Sequence, residues 1–491
     1  MKNIFLIIVF GWTYFSANSQ SITAQLIDKT NKTPVQYATI KTGMNSGVIS
    51  NEEGFFTIYT DENKLNTITI SCLGYQNKTL TISDIKARNF VIMLEEAINE
   101  LGEVFISNKA PNADSIIAKV NKKLHDNYDF DLTNYSVFRR TTDYIDFNSL
   151  DFEIEKASHF KKKNLEAANS NLMALSRKIR ESDIKEFADF KGDLYLFNKD
   201  SSKLVVDKAT KLLDYKNDFS MDEIQEKAQH IVLKYLDTTK TYKLKTGIFK
   251  IEDSLALKDE DFKDEEKKEY RTTSLNNQTR SFLRRAQFYD NSFLNKILNN
   301  NRYNYTFEKI TYHNDNLTYI VNFTPRKGKS KYSGKIFVND DDYAITRLDY
   351  NYYKNRHGDK INLKLILGVK YIENVSSGTV LFEKSNDTKY HPKYLKRTNG
   401  SYFYVNRNVK FIENSKTKNK VNFSFKIEGD SRNKEELLFT SNKKITLNEF
   451  RSIKQDSIVP IKQLSKFEKT IWENEDTLEP LQEMKEFSSE N

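Results

Sequence analysis

After an apolar amino-terminal stretch, the chain runs in short segments in which apolar and polar residues alternate. Ile22, Ala24 and Leu26 alternate with Thr23 and Gln25, the period of a half-buried strand. Polar turns at 28–33 (DKTNKT), 45–47 (NSG) and 51–54 (NEEG) set that run apart from 35–41 and 55–59. Further alternating runs at 65–71, 80–83 and 90–94 bring the strand count to about seven, the pattern of a two-sheet antiparallel sandwich.

Beyond a polar connector at 108–112 (NKAPN) the period changes. Ile116, Ile117, Val120 and Leu124 fall on one helical face, and 156–180 is rich in helix formers. Residues 134–146 read as a strand. Ser220 stands three residues before Glu223, the spacing of a capping box, and Ile224, Ala228, Ile231 and Tyr235 follow at helical spacing. From Tyr305 onwards hairpin follows hairpin, at 305–312, 317–323, 332–338, 343–350, 361–371, 379–383, 402–405 and 421–427. The expected fold is mainly β, of the α+β class. It has an N-terminal seven-stranded antiparallel β-sandwich followed by a larger antiparallel sheet or open barrel with several helices. The expected divisions are 1–19, 20–107 (the sandwich), 108–300 (mixed helix and strand), 301–450 (an antiparallel meander) and 451–491 (a polar tail).

The first twenty residues suggest a compartment. Lys2 precedes an apolar run from Ile4 to Phe15, and Ala17 and Ser19 supply small residues before Gln20. This is the pattern of a secretory signal peptide cleaved near Ser19. The run is shorter than the roughly 20 residues that span a bilayer. No Cys follows it until Cys72, so a lipid-modified amino-terminal Cys is not expected. The mature chain is expected in the periplasm or at the outer membrane, with no transmembrane helix.

The order ITAQLID, PVQYATI, GVISNEEGFFTI, ISCLGYQ and FVIMLEE resembles the carboxypeptidase regulatory-like domain of exported Bacteroidetes proteins. Leu101 to Ile106 (LGEVFI) looks like the hydrophobic tail that follows this domain in TonB-dependent receptors. Further on, LTYIVNFTP and YSGKIFVNDDDYAITRLD resemble the periplasmic part of a Bacteroidetes family of unknown function. That region is in turn similar to LolA-like lipoprotein carriers, whose curved sheet holds acyl chains. The resemblance implies an accessory sandwich ahead of a sheet that binds a ligand. It carries over no functional residue, and a terminal membrane barrel like that of the larger relatives is not expected.

Composition narrows the chemistry. One Cys in 491 residues excludes an intramolecular disulfide framework and a Cys-based zinc site. The six His (His125, His159, His230, His313, His357 and His391) include no HExxH, and none has a Glu three residues later. A zinc carboxypeptidase is therefore not expected. GxSxG, P-loop and GxGxxG motifs are absent. The mixed-sign run at 257–270 lacks the EF-hand pattern and reads as solvated. Asp340, Asp341 and Asp342 offer cation ligands but sit where a hairpin turns. Arg326 and the Lys-rich 327–331 offer an anion site or a solvated loop. Tyr350, Tyr352, Tyr353, Tyr402, Phe403 and Tyr404 are positioned to stack on a ligand or to pack within a sheet. Cys72 reads as buried filler. The net charge of +9 is scattered among acids and forms no nucleic-acid motif, so it describes surface rather than a nucleic-acid partner.

No catalytic, cofactor-binding or metal residues are assigned, and no cofactor is expected. The expectation is a non-enzymatic exported envelope protein that binds a ligand or partner through its C-terminal sheet, with a lipid or acyl ligand as an extension. A hydrolase with a site built from distant carboxylates and a cell-surface adhesion or scaffold protein are the alternatives.

Overall fold

The computed structural model describes residues 20–43, 47–60, 67–97, 111–158, 161–214, 224, 236, 239–246, 249–256, 270–314 and 316–489. Several sequence expectations lie outside these residues: the signal segment 1–19, the hydrophobic tail 101–106, the helix start at 220–223 and the charged run up to 269. The chain divides into two compact units. One holds the described residues up to Glu96 together with Lys469–Glu479, and the other holds Ala97–Glu468 and the residues from Pro480.

The first unit contains β1 (Gln20–Asp28), β2 (Thr39–Lys41), β3 (Gly47–Ile49), β4 (Phe55–Thr60), β5 (Thr67–Ser71), β6 (Lys78–Thr81), α1 (Ile82–Ala87) and β7 (Val91–Leu94). They form two sheets, β4-β1-β7 and β3-β2-β5-β6. Register places Ile22 opposite Ile58 and Ala24 opposite Phe56, so the apolar half of each strand faces inward. With Ile40, Ile68, Ile70 and Ile92 these residues form one core. Two features depart from the expected pattern. The run at 80–83 is cut short because the Thr81 hydroxyl and the Asp84 carboxylate cap the start of α1 reciprocally. That helix carries the chain over, so β7 pairs with β1 in parallel rather than antiparallel.

Residues 451–491, expected as a polar tail, hold the buried Val459, Leu464, Trp472, Leu478 and Met484. Part of this stretch belongs to the first unit. The Tyr59 hydroxyl donates to the Trp472 carbonyl at 3.0 Å, and the Asn51 amide donates to the Glu479 carbonyl at 3.2 Å. The Thr57 hydroxyl donates to the Glu479 carboxylate.

The second unit begins with α2 (Ala113–Asn127), whose Asn112 side chain caps the Ser115 amide. It continues with β8 (Thr133–Ala157), α3 (Lys162–Arg180), β9 (Ile184–Asn198), β10 (Ser201–Leu212), β11 (Thr241–Thr246) and β12 (Phe249–Ala256). Then come α4 (Thr272–Leu283), a 3-10 turn at Arg284–Ala286, and α5 (Phe293–Ile297). Next are β13 (Tyr303–His313), β14 (Asn316–Pro325), β15 (Tyr332–Asn339), β16 (Ile345–Tyr352), β17 (Lys360–Leu363) and α6 (Lys364–Leu367). The unit ends with β18 (Val369–Lys384), β19 (Tyr390–Glu413), β20 (Lys420–Lys444), α7 (Leu447–Ser452), β21 (Lys462–Leu464) and α8 (Gln482–Lys485).

One open sheet, of fourteen strands among the described residues, runs β13-β14-β15-β16-β18-β19-β20-β8-β9-β10-β21, with β11, β12 and β17 attached at the side. Its pairs are antiparallel except β10 with β21. The sheet therefore starts with β8, inside the region expected to be mixed. Among the described residues no helix is long and apolar enough to cross a membrane.

The central strands are long enough to pass through three environments on one face. Along β20, Leu437 and Phe439 join the core under α2, α4 and α5. Val421 and Phe423, with Phe425 and Ile427 beside them, join a second core under α3. Between these ends the same face carries Ser431, Asn433 and Glu435.

Candidate functional site

That polar interval is the floor of a groove of about 640 Å3. Residues opposite each other in register share a face, so β8, β18, β19 and β20 contribute as sets. Asp143, Asn433, Asn399 and Ser376 form one row. Ile145, Ser431, Ser401 and Glu373 form the next. Tyr371, Tyr352, Tyr332 and Arg285 wall one side, and Ile184, Glu186 and Leu213 the other.

The floor is held by its own hydrogen bonds. The Asn433 amide donates to Asp143 at 2.7 Å, Ser376 donates to Asn399 at 3.1 Å, and the Ser401 and Ser431 hydroxyls lie 2.9 Å apart. The Asp359 amide donates to Glu373 at 2.9 Å, and Lys211 pairs with Glu186 at 2.9 Å. Burial pushes the Asp143 carboxyl above the ordinary range. The Asn433 hydrogen bond opposes this, and the negative charges of Glu186 and Glu435 reinforce it.

The aromatic wall is ordered by ring contacts. Tyr332 stacks on Tyr352 at 5.2 Å and meets Tyr350 edge-on at 5.5 Å. The Arg285 guanidinium lies 4.6 Å from the Phe293 ring centre. Beyond Asn433 on the same face, Glu435 receives both Arg139, at 2.6 Å, and Arg397, whose Nε lies at 2.7 Å. Arg139 and Glu435 are buried.

The sequence candidates are dispersed. Tyr352 enters the groove and Tyr350 packs behind it, whereas Tyr353 lies beside Lys354 outside it. Phe403 faces the groove side opposite Tyr371 and meets Phe147 edge-on. By alternation Tyr402 and Tyr404 point the other way, and the Tyr402 hydroxyl donates to Glu428 at 2.7 Å. Asp340–Asp342 form the turn between β15 and β16, where the Asn339 side chain accepts from the Asp341 amide at 2.9 Å and Asp342 accepts from Lys384 at 3.0 Å. Among the described residues no group of three or more His, Cys, Asp or Glu is placed to hold a metal ion. In the basic loop Arg326 donates to the Asn300 carbonyl at 3.0 Å, away from the groove. Cys72 is buried in the sandwich core. His391 is buried between Tyr135, at 3.1 Å, and Asp387, at 2.9 Å. The floor residues Asp143, Glu373, Asn399, Ser401, Ser431 and Asn433 were not singled out from the sequence. Their signal is a polar gap at inward positions between apolar inward positions of one strand.

Residues 22–106 match the family described as the CarboxypepD_reg-like domain, so this stretch of the chain is similar to a carboxypeptidase regulatory-like domain. This agrees with the resemblance carried by its strand motifs. No curated protein matches the chain. Among solved structures, the chain is similar to an outer membrane lipoprotein-sorting protein domain from Vibrio parahaemolyticus. The identity is 7%, the match covers 69% of this chain and 97% of that one, and the TM-score is 0.19. So loose a superposition carries no argument about a ligand.

Proposed function

We propose that the protein is a non-enzymatic binding protein of the cell envelope, with the regulatory-like sandwich as an accessory module and the groove of the open sheet as its binding site. The observation that carries this reading is the groove floor, where carboxylate, amide and hydroxyl groups lie in rows beside a tyrosine wall. Such a lining suits a hydroxyl-rich ligand with a flat apolar face, the chemistry of a sugar chain or a glycolipid headgroup. A bare acyl chain suits it poorly, because it would bury Asp143, Asn399 and Asn433 without offering them a partner. The envelope location is supported by the signal-like pattern of residues 1–19.

The test is a glycan array probed with the purified chain, followed by calorimetry on the hits. Asn433→Leu and Tyr352→Ala are expected to abolish binding while unfolding remains cooperative. Retention of full affinity in both variants would overturn the assignment of the groove. A second reading, hydrolysis at a site built from distant carboxylates, is favoured by Asp143, Glu186 and Glu373 all lining the groove, where burial raises the Asp143 carboxyl. Under that reading a bound glycan is cleaved and Asp143→Asn stops the cleavage. Under the binding reading the glycan is recovered intact.

A further inference from the structure

The segment 361–371, which the alternation predicts as one strand, is broken into a projecting hairpin. β17 and β18 pair from Lys360 with Ile372 to Leu363 with Val369, and α6 forms the tip. Gly368 ends the tip in a left-handed conformation with φ of 61°. Its carbonyl accepts the Asn406 amide at 2.7 Å, and an added Cβ would lie 2.1 Å from the Asn406 carbonyl oxygen. The tip is thus pinned at its base, yet its apolar side chains face solvent. Leu365 is 99% exposed, Ile366 79% and Ile361 50%. An apolar cluster of this kind on a rigid support marks a docking surface.

Charge selects the occupant. Between Lys360 and Lys370 there are three lysines and no acid. Lys364 lies 3.9 Å from the Tyr404 ring centre, which holds it beside the tip, and Lys370 lies 4.9 Å from that of Tyr402, further back along the hairpin. A two-fold contact between copies would set these lysines against themselves. An anionic bilayer instead satisfies both features, with acyl chains for Leu365 and Ile366 and headgroups for the lysines.

We propose that this hairpin is a membrane-docking tip that seats the sheet on an anionic lipid surface. Tyr371 and Glu373 of the groove follow on β18, so Glu373 lies about 13 Å along the strand from Val369. The docked groove therefore opens close to the headgroup layer. The proposal rests on residues outside the groove floor and stands whether or not the groove binds a sugar.

The test is flotation of the purified full chain with phosphatidylcholine vesicles, with and without about 30 mol % phosphatidylglycerol. The wild-type chain is expected to float with the anionic vesicles. Leu365→Asp with Ile366→Asp is expected to weaken partitioning by about tenfold or more. Lys360→Glu with Lys364→Glu is expected to abolish the preference for phosphatidylglycerol. Met173→Asp, at an exposed position of α3, is expected to change nothing. Leu365→Trp gives a readout at a fully exposed position, and its emission is expected to shift to the blue on anionic vesicles only. Flotation of the Asp double variant equal to wild type overturns the proposal, as does an unshifted Trp emission. A wild-type dimer that the Asp double variant dissolves overturns it too, because the tip is then covered by a second copy.

Discussion

Glu435→Gln is the most informative single change in the open sheet. The carboxylate receives Arg139 on one oxygen and Arg397 on the other. Arg139 and Glu435 are almost wholly buried, whereas the Arg397 side chain keeps 23% exposure. A neutral amide leaves Arg139 as a buried cation without its carboxylate partner, keeping the Thr279 hydroxyl at 3.3 Å and the more distant charge of Asp143. Breaking a buried pair in this way costs about 3–5 kcal/mol. Domains of about 150–250 residues lose about 2–4 °C per kcal/mol, and larger ones less, so the midpoint should fall by about 5–15 °C. Thermal unfolding followed by circular dichroism at pH 7 measures this. Replacing the whole triad, as Arg139→Met, Arg397→Met and Glu435→Leu, should recover most of the loss. The pH dependence is a second check. Burial opposes the Glu435 charge, but Arg397 and then Arg139 outweigh it and hold its pKa below the ordinary 4.5. The stability it contributes is therefore present above about pH 4.5 and lost as pH falls through the folded-state value. Glu435→Gln should lack that part of the acid limb. A Glu435→Gln midpoint within about 1 °C of wild type would refute the reasoning.

Three further outcomes are expected. Thr81→Ala removes half of the capping box of α1 and should destabilise the sandwich unit by about 0.5–2 kcal/mol in urea titration, while Thr81→Ser should lose little. Gly378→Val should unfold at a markedly lower temperature, because a Cβ there meets the Lys396 carbonyl oxygen at 2.3 Å and the Tyr350 hydroxyl at 2.5 Å. Burial lowers the His391 pKa from 6.5, against the pull of Asp387. The neutral imidazole thus contributes stability above pH 6.5 that is lost as pH falls through the folded value, and His391→Gln should flatten that slope in urea titrations from pH 7.5 downwards.

The sandwich was legible because most of its inward positions, such as Ile22, Ala24, Leu26, Phe56, Ile58, Ile68 and Ile70, are apolar and its turns are marked by Gly, Asn and Asp. The α2 helix was legible for the same reason, with Ile116, Ile117, Val120 and Leu124 all buried. Strands β18, β19 and β20 were seen only as fragments. Their inward positions turn polar at Ser376, at Asn399 and Ser401, and at Ser431 and Asn433, so the alternation disappears where the groove lies. The interruption that hid the strands is the candidate site itself. The hairpin tip was hidden in a different way: 361–371 reads as one apolar strand until Gly368 takes a left-handed turn. In the last forty residues the apolar positions, Trp472, Leu478 and Met484 among them, are sparse and set among charged and polar neighbours. Only tertiary packing shows that they are buried.

The return of Lys469–Glu479 to the first unit has a consequence for synthesis. Ribosomes release amino-terminal domains first, and such domains ordinarily finish folding while the rest of the chain is still being made. Here Trp472, Leu478 and Glu479 belong to the amino-terminal unit yet emerge only after the strands β8 to β20 have been translated, so that unit is expected to complete its packing late. A chain truncated before Lys469 leaves both the Tyr59 hydroxyl and the Asn51 amide without the carbonyls they meet in the intact protein.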